Sequence, residues 1–447
     1  MARFIETYVP PSVIVQGNYE FQGESQYIQP NTIALVVRLD SYPTKTANRT
    51  LSNGSTAVIE VHNLIEDSVT LRDYAGGELT KDVDYKMSVD EDNDTFSVTI
   101  TKEDVKTQTI LISYKYLPDD FFEPLAWYTL ASVTDYYGAP FNDDYTINSQ
   151  VTAAAKYAFN NGASSCVILP VYDEPEAGSN PTQTLTQALE KLKMRQDVAI
   201  VVPINMDEDD LVLVNDHINF CNQNRLERRG IFSIDGSVKA HTVDELIGIA
   251  RSLNSEFALF VANDIAPVYV TDSRKAINEP GWLWGAAMAG LAISTEPHVS
   301  LTRKQLSGFY GTQAFLYEEK NKLAEGGCCV IETYNGIIRV RHSVTTCQDS
   351  MIDWTFSGIY NYMIYQMRAL FDPYIGKPST DALVAEINSI IQLFLEQQIE
   401  RGVIYNYNDL EVARRTNHPE VIDVTFRYAA IQPLLWIVVT FDVDMTY

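Results

Sequence analysis

The stretch 182–204, TQTLTQALEKLKMRQDVAIVVPI, decides the fold class of this chain. Its first half has the apolar spacing of an amphipathic helix, and its second half is an unbroken apolar run of strand length. The same pattern recurs through the middle of the chain. Further helices are predicted at about 151–160, 208–228 and 242–253, and further strands at 166–169, 230–234 and 257–261. Helices that alternate with fully apolar strands are typical of a parallel sheet covered on both faces.

The regions on either side of this alternation predict a chain of several parts. We predict an α/β core, a mixed sheet flanked by helices, at residues 119–350. Before the core, alternating runs of Val, Ile, Thr and Tyr predict a small all-β domain at 28–118. The first 27 residues contain two consecutive prolines, which favour an extended arm. After the core, two apolar helices and further strands predict an α+β region at 351–447.

The chain closes with a second predicted arm. Its apolar residues alternate with polar ones and are Val439, Phe441, Val443 and Met445. Strict alternation is typical of a strand with one buried face. Because the alternation continues almost to the C-terminus, we expect this strand to end free, with no loop after it.

Composition limits the possible partners. The chain has 447 residues, and 33 Lys and Arg against 59 Asp and Glu give a net charge of −26. Such a surface repels phosphate backbones and anionic lipids, so we expect no nucleic-acid partner. The longest apolar run is shorter than a membrane span, so no membrane insertion is expected. The start MARFIETYVPP lacks the apolar region of a signal peptide, and five cysteines without a CxxC pair predict reduced thiols.

The motifs of catalysis and cofactor binding are missing from the sequence. It contains no GxGxxG or GxxxxGK[ST] phosphate loop, no GxSxG elbow and no HExxH pair. The glycines Gly281, Gly285 and Gly290 have a spacing that suits close helix packing. We therefore predict no catalytic, cofactor-binding or metal-ligating residues, and a binding or assembly role in place of an enzymatic one.

Four stretches carry a family resemblance. They are YGAP at 137–140 with the Ala-rich helix that follows, ALEKL at 188–192 leading into VAIVVP at 198–203, GGCCVI at 326–331 with the hairpin around Gly336 that ends in RVR at 339–341, and the helical pair joined by IGKP at 375–378, which continues through GVI at 402–404 to PEVIDV at 419–424. In this order they resemble the tail sheath proteins of contractile-tailed bacteriophages and related contractile injection systems. The resemblance covers most of residues 130–447.

The resemblance implies a structural subunit of a virion tail, assembled in the host cytoplasm. Sheath subunits stack as rings, usually hexameric, around a tail tube and between baseplate and tail terminator proteins. Their contraction drives the tube through the host envelope. Family members lend terminal arms to a neighbour's sheet, whereas the alternative is that both arms pair within their own subunit. Here the linking residues would be the C-terminal set above and an N-terminal set of Ile5, Tyr8, Val9, Val13, Ile14 and Val15.

The resemblance also places two surfaces. The all-β domain would face outward, because sheath proteins vary most in such domains. The tube would contact the C-terminal half, where basic residues stand out in an acidic chain and are the candidates. The alternative for each is an ordinary solvated charge or an ion pair within the subunit. We predict Arg303 and Lys304 as tube contacts, and the other available bases are Arg339, Arg341, Arg368, Arg414 and Arg415. The alternative functions are a nucleotide-dependent α/β enzyme and another virion assembly protein, such as a tube or capsid component.

Overall fold

A computed structural model describes residues 30–40, 45–52, 56–61, 64–90, 95–106, 108–143, 146–173, 182–269, 276–435 and 437. The strands are β1 (Thr32–Arg38), β2 (Lys45–Ser52), β3 (Thr56–Glu60), β4 (Leu64–Arg72), β5 (Glu78–Leu79), β6 (Tyr85–Asp90), β7 (Thr95–Ile100), β8 (Thr109–Tyr116), β9 (Leu125–Trp127), β10 (Cys166–Val171), β11 (Val198–Ile204), β12 (Arg229–Phe232), β13 (Ala258–Val261), β14 (Ile265–Tyr269), β15 (Ala276–Pro280), β16 (Cys328–Tyr334), β17 (Ile337–His342), β18 (Ile404–Arg415) and β19 (His418–Ala430). The helices are α1 (Leu130–Tyr137), α2 (Gln150–Asn160), α3 (Leu185–Leu192), α4 (Glu208–Gln223), α5 (Val243–Leu253), α6 (Trp282–Ile293), α7 (Tyr317–Glu325), α8 (Thr355–Phe371) and α9 (Asp381–Glu400).

An eight-stranded sheet forms the centre of the molecule, in the order β17-β16-β13-β12-β11-β1-β10-β9. The six inner strands run parallel, and the edge strands β17 and β9 are antiparallel to their neighbours. Helices α2 and α6 cover one face of the sheet, and α3, α4, α5 and α7 cover the other. The predicted mixed sheet flanked by helices is therefore confirmed.

Strand β1 corrects one predicted boundary. Residues 28–118 were predicted to form an all-β domain, but β1 lies in the core sheet, paired in parallel with β10 on one edge and β11 on the other. The five residues from Ile33 to Val37 are fully buried. An unbroken apolar run such as IALVV is typical of a strand buried on both faces, and this signal places it in the core.

The chain leaves the core after β1 and forms two antiparallel sheets before it returns at β9. One sheet has the order β2-β8-β4-β5 and the other the order β3-β7-β6. They share an apolar cluster in which the rings of Phe96 and Tyr114 meet edge to face at 5.1 Å. Lys45, which begins β2, is the cross-strand partner of Tyr116, which ends β8. The two ends of this β-rich segment therefore lie side by side.

Helix α6 packs beside α2 on the same face of the sheet, and its glycines permit the close approach. A Cβ atom added to Gly290 would meet the carbonyl oxygen of Ala158 at 2.1 Å, and one added to Gly285 would meet Oγ of Ser233 at 2.3 Å. Real Cβ atoms do not approach other heavy atoms so closely. The predicted role of these glycines in helix packing is confirmed.

The C-terminal region is fastened to the core by buried charges. Arg368 of α8 pairs with Glu227 through both carboxylate oxygens, and Nη1 donates to Oε2 at 2.7 Å. Both side chains are almost completely buried. The guanidinium of Arg229 lies 4.2 Å from the ring centre of Trp354, at the start of the same helix. Helix α8 is thus held to the α/β core by interactions that water does not reach. Within the described ranges, no helix is both long enough and apolar enough to cross a membrane.

We expect Gly290→Ala to lower the free energy of unfolding by about 1–3 kcal/mol or more, because the new methyl group meets backbone atoms of α2 that cannot rotate away. The matched control is Gly248→Ala in α5, where an added Cβ meets no heavy atom within 4 Å. There alanine should stabilise the helix by about 0.5–1 kcal/mol. Calorimetric melting of both variants checks the pair, and equal stability of the two would contradict the packing role.

Candidate assembly surfaces

The hairpin of β18 and β19 is a two-stranded sheet at the end of the described chain. One of its faces packs on α8 and α9, with Val412, Val424 and Phe426 against the cluster that contains Ile391 and Phe394. Among the described residues neither strand pairs with any further strand. Within the described ranges the outer edges of both strands therefore carry backbone N–H and C=O groups that no other strand pairs with, and a strand can add to an edge of this kind.

The hairpin is irregular and carries charges along its length. Its register shifts between Asn408 and Glu411, and Asp409 there has a φ of 56°. Arg415 of β18 bonds Asp423 of β19 at 3.0 Å from Nε to Oδ2, and Arg414 reaches Asp381 at the start of α9 at 2.9 Å. Bulges and charges of this kind limit uncontrolled pairing at sheet edges. Both arginines, predicted as available for a tube, therefore make ion pairs within the subunit.

The predicted linking residues lie outside the part of the chain that the structure describes. This holds for the N-terminal set of Ile5, Tyr8, Val9, Val13, Ile14 and Val15 and for the C-terminal set of Val439, Phe441, Val443 and Met445. Their pairing stays a prediction.

Arg303 and Lys304 belong to what we call the basic cluster. It consists of Arg303, Lys320 and Arg339, which contact the carboxylate of Glu332, together with Lys304 and Arg341 beside them. The cluster forms because the segment after α6 runs along the edge of β17. The N–H of Arg303 donates to the carbonyl of Val340 at 2.8 Å, and the N–H of Val340 donates to the carbonyl of Lys304 at 2.9 Å. These bonds bring two separate parts of the chain to one surface.

Glu332 of β16 is buried and organises the basic cluster. Arg339, its cross-strand partner in the hairpin, donates to Oε1 from Nε at 3.2 Å and from Nη2 at 3.0 Å. Nη1 of Arg303 lies 3.2 Å from the same oxygen, and Nζ of Lys320 lies 3.5 Å from Oε2. Burial raises the pKa of Glu332, but the hydrogen bonds from Arg339 and the charges of Lys320, Arg339 and Arg341 outweigh burial and lower the pKa.

Several bases of the cluster are exposed or make no ion pair within the described ranges. The side chain of Arg303 is 58% exposed although it touches Glu332. Arg341 donates to the Asn321 amide oxygen at 2.6 Å and, like Lys304, makes no ion pair within the described ranges. The guanidinium of Arg339 lies 3.9 Å from the ring centre of Tyr334, which holds it in place. Three of the five cations share the carboxylate of Glu332, and the other two make no ion pair within the described ranges, so this surface is locally positive in a chain of negative net charge.

Arg368 is a different case, and a tube contact there is wrong. Its side chain is 1% exposed because it is enclosed with Glu227 between α8 and the core. Sequence patterns missed this burial because arginine is usually a surface residue. Sequence reasoning also missed Glu332, although Asn335-Gly336 is a hairpin-turn signal that fixes the register and places Glu332 opposite Arg339.

Helix α9 presents a surface of opposite charge, which we call the acidic stripe: Glu386, Glu396 and Glu400. All three are exposed, and at 100° per residue they fall within about 80° of the helix circumference. Leu393 lies in the same arc and is 56% exposed. The helix contains no Lys or Arg between its first and last residues. None of the three glutamates makes an ion pair within the described part of the chain.

Groups that could support chemistry are few among the described residues. No cluster of three or more His, Cys, Asp or Glu there could hold a metal ion. Burial raises the pKa of the thiols of Cys166 and Cys328 to about 12, so both stay protonated at neutral pH. Burial also lowers the pKa of His217 to about 3, which keeps its ring neutral beside the guanidinium of Arg228. These groups belong to the packed interior.

Comparison with models of protein families finds no match. Comparison with curated proteins finds a tail sheath protein of Mycobacterium phage Bxz1, which is 27% identical over 340 residues. The match covers 75% of this chain and 58% of that protein, so the chain spans less than two thirds of the relative's length.

Among solved structures, the chain is similar to the contracted helical sheath of the anti-feeding prophage, with a TM-score of 0.57 and 11% identity over 98% of this chain and 100% of that one. It is also similar to the contracted sheath complex of the extracellular contractile injection system PVC, with a TM-score of 0.55 and 11% identity over 98% of both chains. A chain of the anti-feeding prophage baseplate gives a TM-score of 0.57 and 14% identity over 74% of this chain and 90% of that one. The fold is shared, and the predicted resemblance to contractile tail sheath proteins is confirmed.

We expect Glu332→Gln to lower the free energy of unfolding by about 1–3 kcal/mol at neutral pH, because the bases around it lose their buried counter-charge. The lowered pKa of Glu332 means that its contribution is present above the ordinary carboxyl value and disappears as pH falls through the folded-state value. The free energies of unfolding of the variant and of the unmodified protein should therefore become equal in acid. Calorimetric melting from about pH 7 down to about pH 2 checks this. Glu325→Gln, at the exposed end of α7, is the control and should change stability by less than about 0.5 kcal/mol. A difference that persists unchanged in acid would contradict the ionic role of Glu332.

Proposed function

We propose that this chain is a structural subunit of a contractile tail sheath, which polymerises around a tail tube and contracts to drive the tube through the host envelope. The observation that carries the proposal is the match to a phage tail sheath protein over three quarters of the chain. The shared fold extends to nearly the whole chain and supports it. The role is structural, without catalysis.

The proposed partners follow from this role. The subunit would bind copies of itself in stacked rings, hexameric in the usual form, and would contact tube, baseplate and tail terminator proteins. The fold shared with a chain of the anti-feeding prophage baseplate supports the baseplate contact. The subunit would assemble in the host cytoplasm and remain in the virion tail.

The terminal arms would link the subunits. The hairpin of β18 and β19 supports this because it has two outer edges that no described strand pairs with, on a base formed by α8 and α9. A strand added to either edge gains backbone hydrogen bonds, and its apolar side chains cover the half-buried face. We therefore place the acceptor of a neighbour's closing strand at this hairpin. Such a link joins two subunits while their cores change their relative orientation.

The β-rich segment would decorate the outside of the sheath, and the tube would face the C-terminal half. The two sheets of the segment have their own apolar cluster, which supports a separate unit. The tube contact of Arg303 and Lys304 stays a prediction. Exposed ion pairs are worth about 0–1 kcal/mol each, so many of them together could hold an extended sheath and still release one by one.

We expect a chain that lacks residues 441–447 to stay folded but to form no cylinders or rings, because it cannot complete the strand that joins a neighbour's hairpin. Negative-stain microscopy and sedimentation check this against the full chain. Two matched point variants each change one side chain, one on the apolar face of the predicted strand and one on its polar face. Phe441→Ser should block assembly, whereas Asp442→Ser should not. Cylinders formed by the truncated chain would disprove the donated strand, and compact particles formed by the full chain would contradict the sheath function itself.

We expect removal of residues 45–116 to spare both folding and assembly. Lys45 and Tyr116 are cross-strand partners, so a short Gly-Ser linker can span the gap between the remaining ends. Microscopy should show thinner-walled cylinders, with the thickness lost from the outside. A shortened chain that is insoluble would show that the segment shares the main core, and a change in the inner diameter would place the segment on the tube side.

A further inference from the structure

The basic cluster is positively charged, whereas the chain as a whole is strongly negative. Copies with a net charge of −26 repel one another, so a polymer of them needs sites where opposite charges meet. The acids next to the cluster offset its five positive charges only in part. Glu319 of α7 accepts the N–H of Leu316 at 2.7 Å as a helix cap, and Glu332 is shared among three bases. The cluster therefore attracts carboxylates from outside the subunit.

The acidic stripe has the complementary character on the same chain. Its three glutamates face one way, and no base of α9 balances them. Each surface also has apolar groups. Tyr317 and Tyr334 are exposed beside the bases, and Leu393 is exposed within the stripe. Aromatic and aliphatic groups surrounded by charged ones are the composition expected of a protein interface with a polar rim.

We propose that the basic cluster of one subunit docks on the acidic stripe of α9 in a second copy of this chain, an inference that rests on the proposed self-assembly. We choose a second copy over the tube because the matching carboxylates are present on the chain itself. The two surfaces are different, so the contact is head to tail. Head-to-tail contacts generate rings or helical arrays and do not close into isolated pairs.

The proposed contact should make assembly depend on salt concentration. Contacts between exposed charges weaken as salt screens them, over about 10 Å at 0.1 M ionic strength. Strand addition, in contrast, depends on backbone hydrogen bonds and apolar burial and changes little with salt. Salt should therefore loosen the contact between cluster and stripe while the arm links persist.

Charge swapping in the full chain tests the contact. One variant combines Arg303→Glu with Lys304→Glu, and a second combines Glu396→Lys with Glu400→Lys. Each should raise the protein concentration needed for polymerisation by about tenfold or more, because like charges then face each other. A third variant with all four changes restores opposite charges and should polymerise within about threefold of the unmodified protein. Light scattering and negative-stain microscopy give the readouts.

Two controls separate charge from folding. Lys322→Glu with Lys377→Glu changes the net charge as much as the first variant but lies outside the cluster, and should shift polymerisation by less than about threefold. Lys322 is on α7 like Lys320, yet it pairs with Asp244. Arg303→Gln with Lys304→Gln avoids placing a carboxylate beside Glu332 and should give the same direction of effect with intact circular dichroism.

Three results would overturn the inference. They are normal polymerisation of both reversed variants, failure of the four-change variant to recover, and a defect of the first variant that appears only in binding to isolated tail tubes. The last result would assign the cluster to the tube. These outcomes leave the proposed function standing, whereas an unmodified protein that never self-associates would remove both.

Discussion

The burial of β1 on both faces and along both edges is the constraint on which the rest of the structure depends. Its backbone pairs with β10 and β11, so no polar group of the strand is left without a partner. Its side chains alternate between two separate clusters. Ile33, Leu35 and Val37 enter the layer of α2 and α6, and Ala34 and Val36 enter the layer of α3, α4 and α5. Two helical layers are needed because this strand is apolar on both sides.

The C-terminal region adds surfaces to that core without weakening it. Glu227 and Arg368 are buried together, and removing one partner of such a pair costs about 3–5 kcal/mol because the other charge stays buried alone. The hairpin and α9 are therefore fixed to the core, whereas the charges on their outer surfaces are exposed and weakly held. Firm attachment inside and weak contacts outside suit a subunit that moves as a body while its contacts with other proteins change.

Helices and strands whose apolar pattern is regular within the element itself were predicted from the sequence. The apolar run that ends the stretch 182–204 forms β11, and the helix predicted at about 242–253 forms α5, which Thr242 and Glu245 cap. Strand β18 was not predicted as a strand, because the bulge near Asp409 breaks the alternation on which such predictions rest.

Features that depend on distant pairing were not predicted. Strand β1 was assigned to the wrong domain because its partners lie far downstream. The pairing of Arg368 with Glu227 joins residues that no local period connects. The basic cluster was predicted in part. Its members Arg303, Lys304, Arg339 and Arg341 were named because basic residues stand out in an acidic sequence, whereas the carboxylate of Glu332 that organises them does not stand out.

The early position of β1 sets the order in which this protein can fold. During synthesis β1 emerges before either of its partners exists, since these begin at Cys166 and Val198. The β-rich segment lies between β1 and these partners in the sequence. Its strands pair with one another, so it can fold before the partners of β1 are synthesised. Once Lys45 and Tyr116 are paired, the chain on both sides of the segment is held together, which shortens the loop that β1 must close. The inserted segment thus reduces the entropic cost of the slow, long-range step that completes the core.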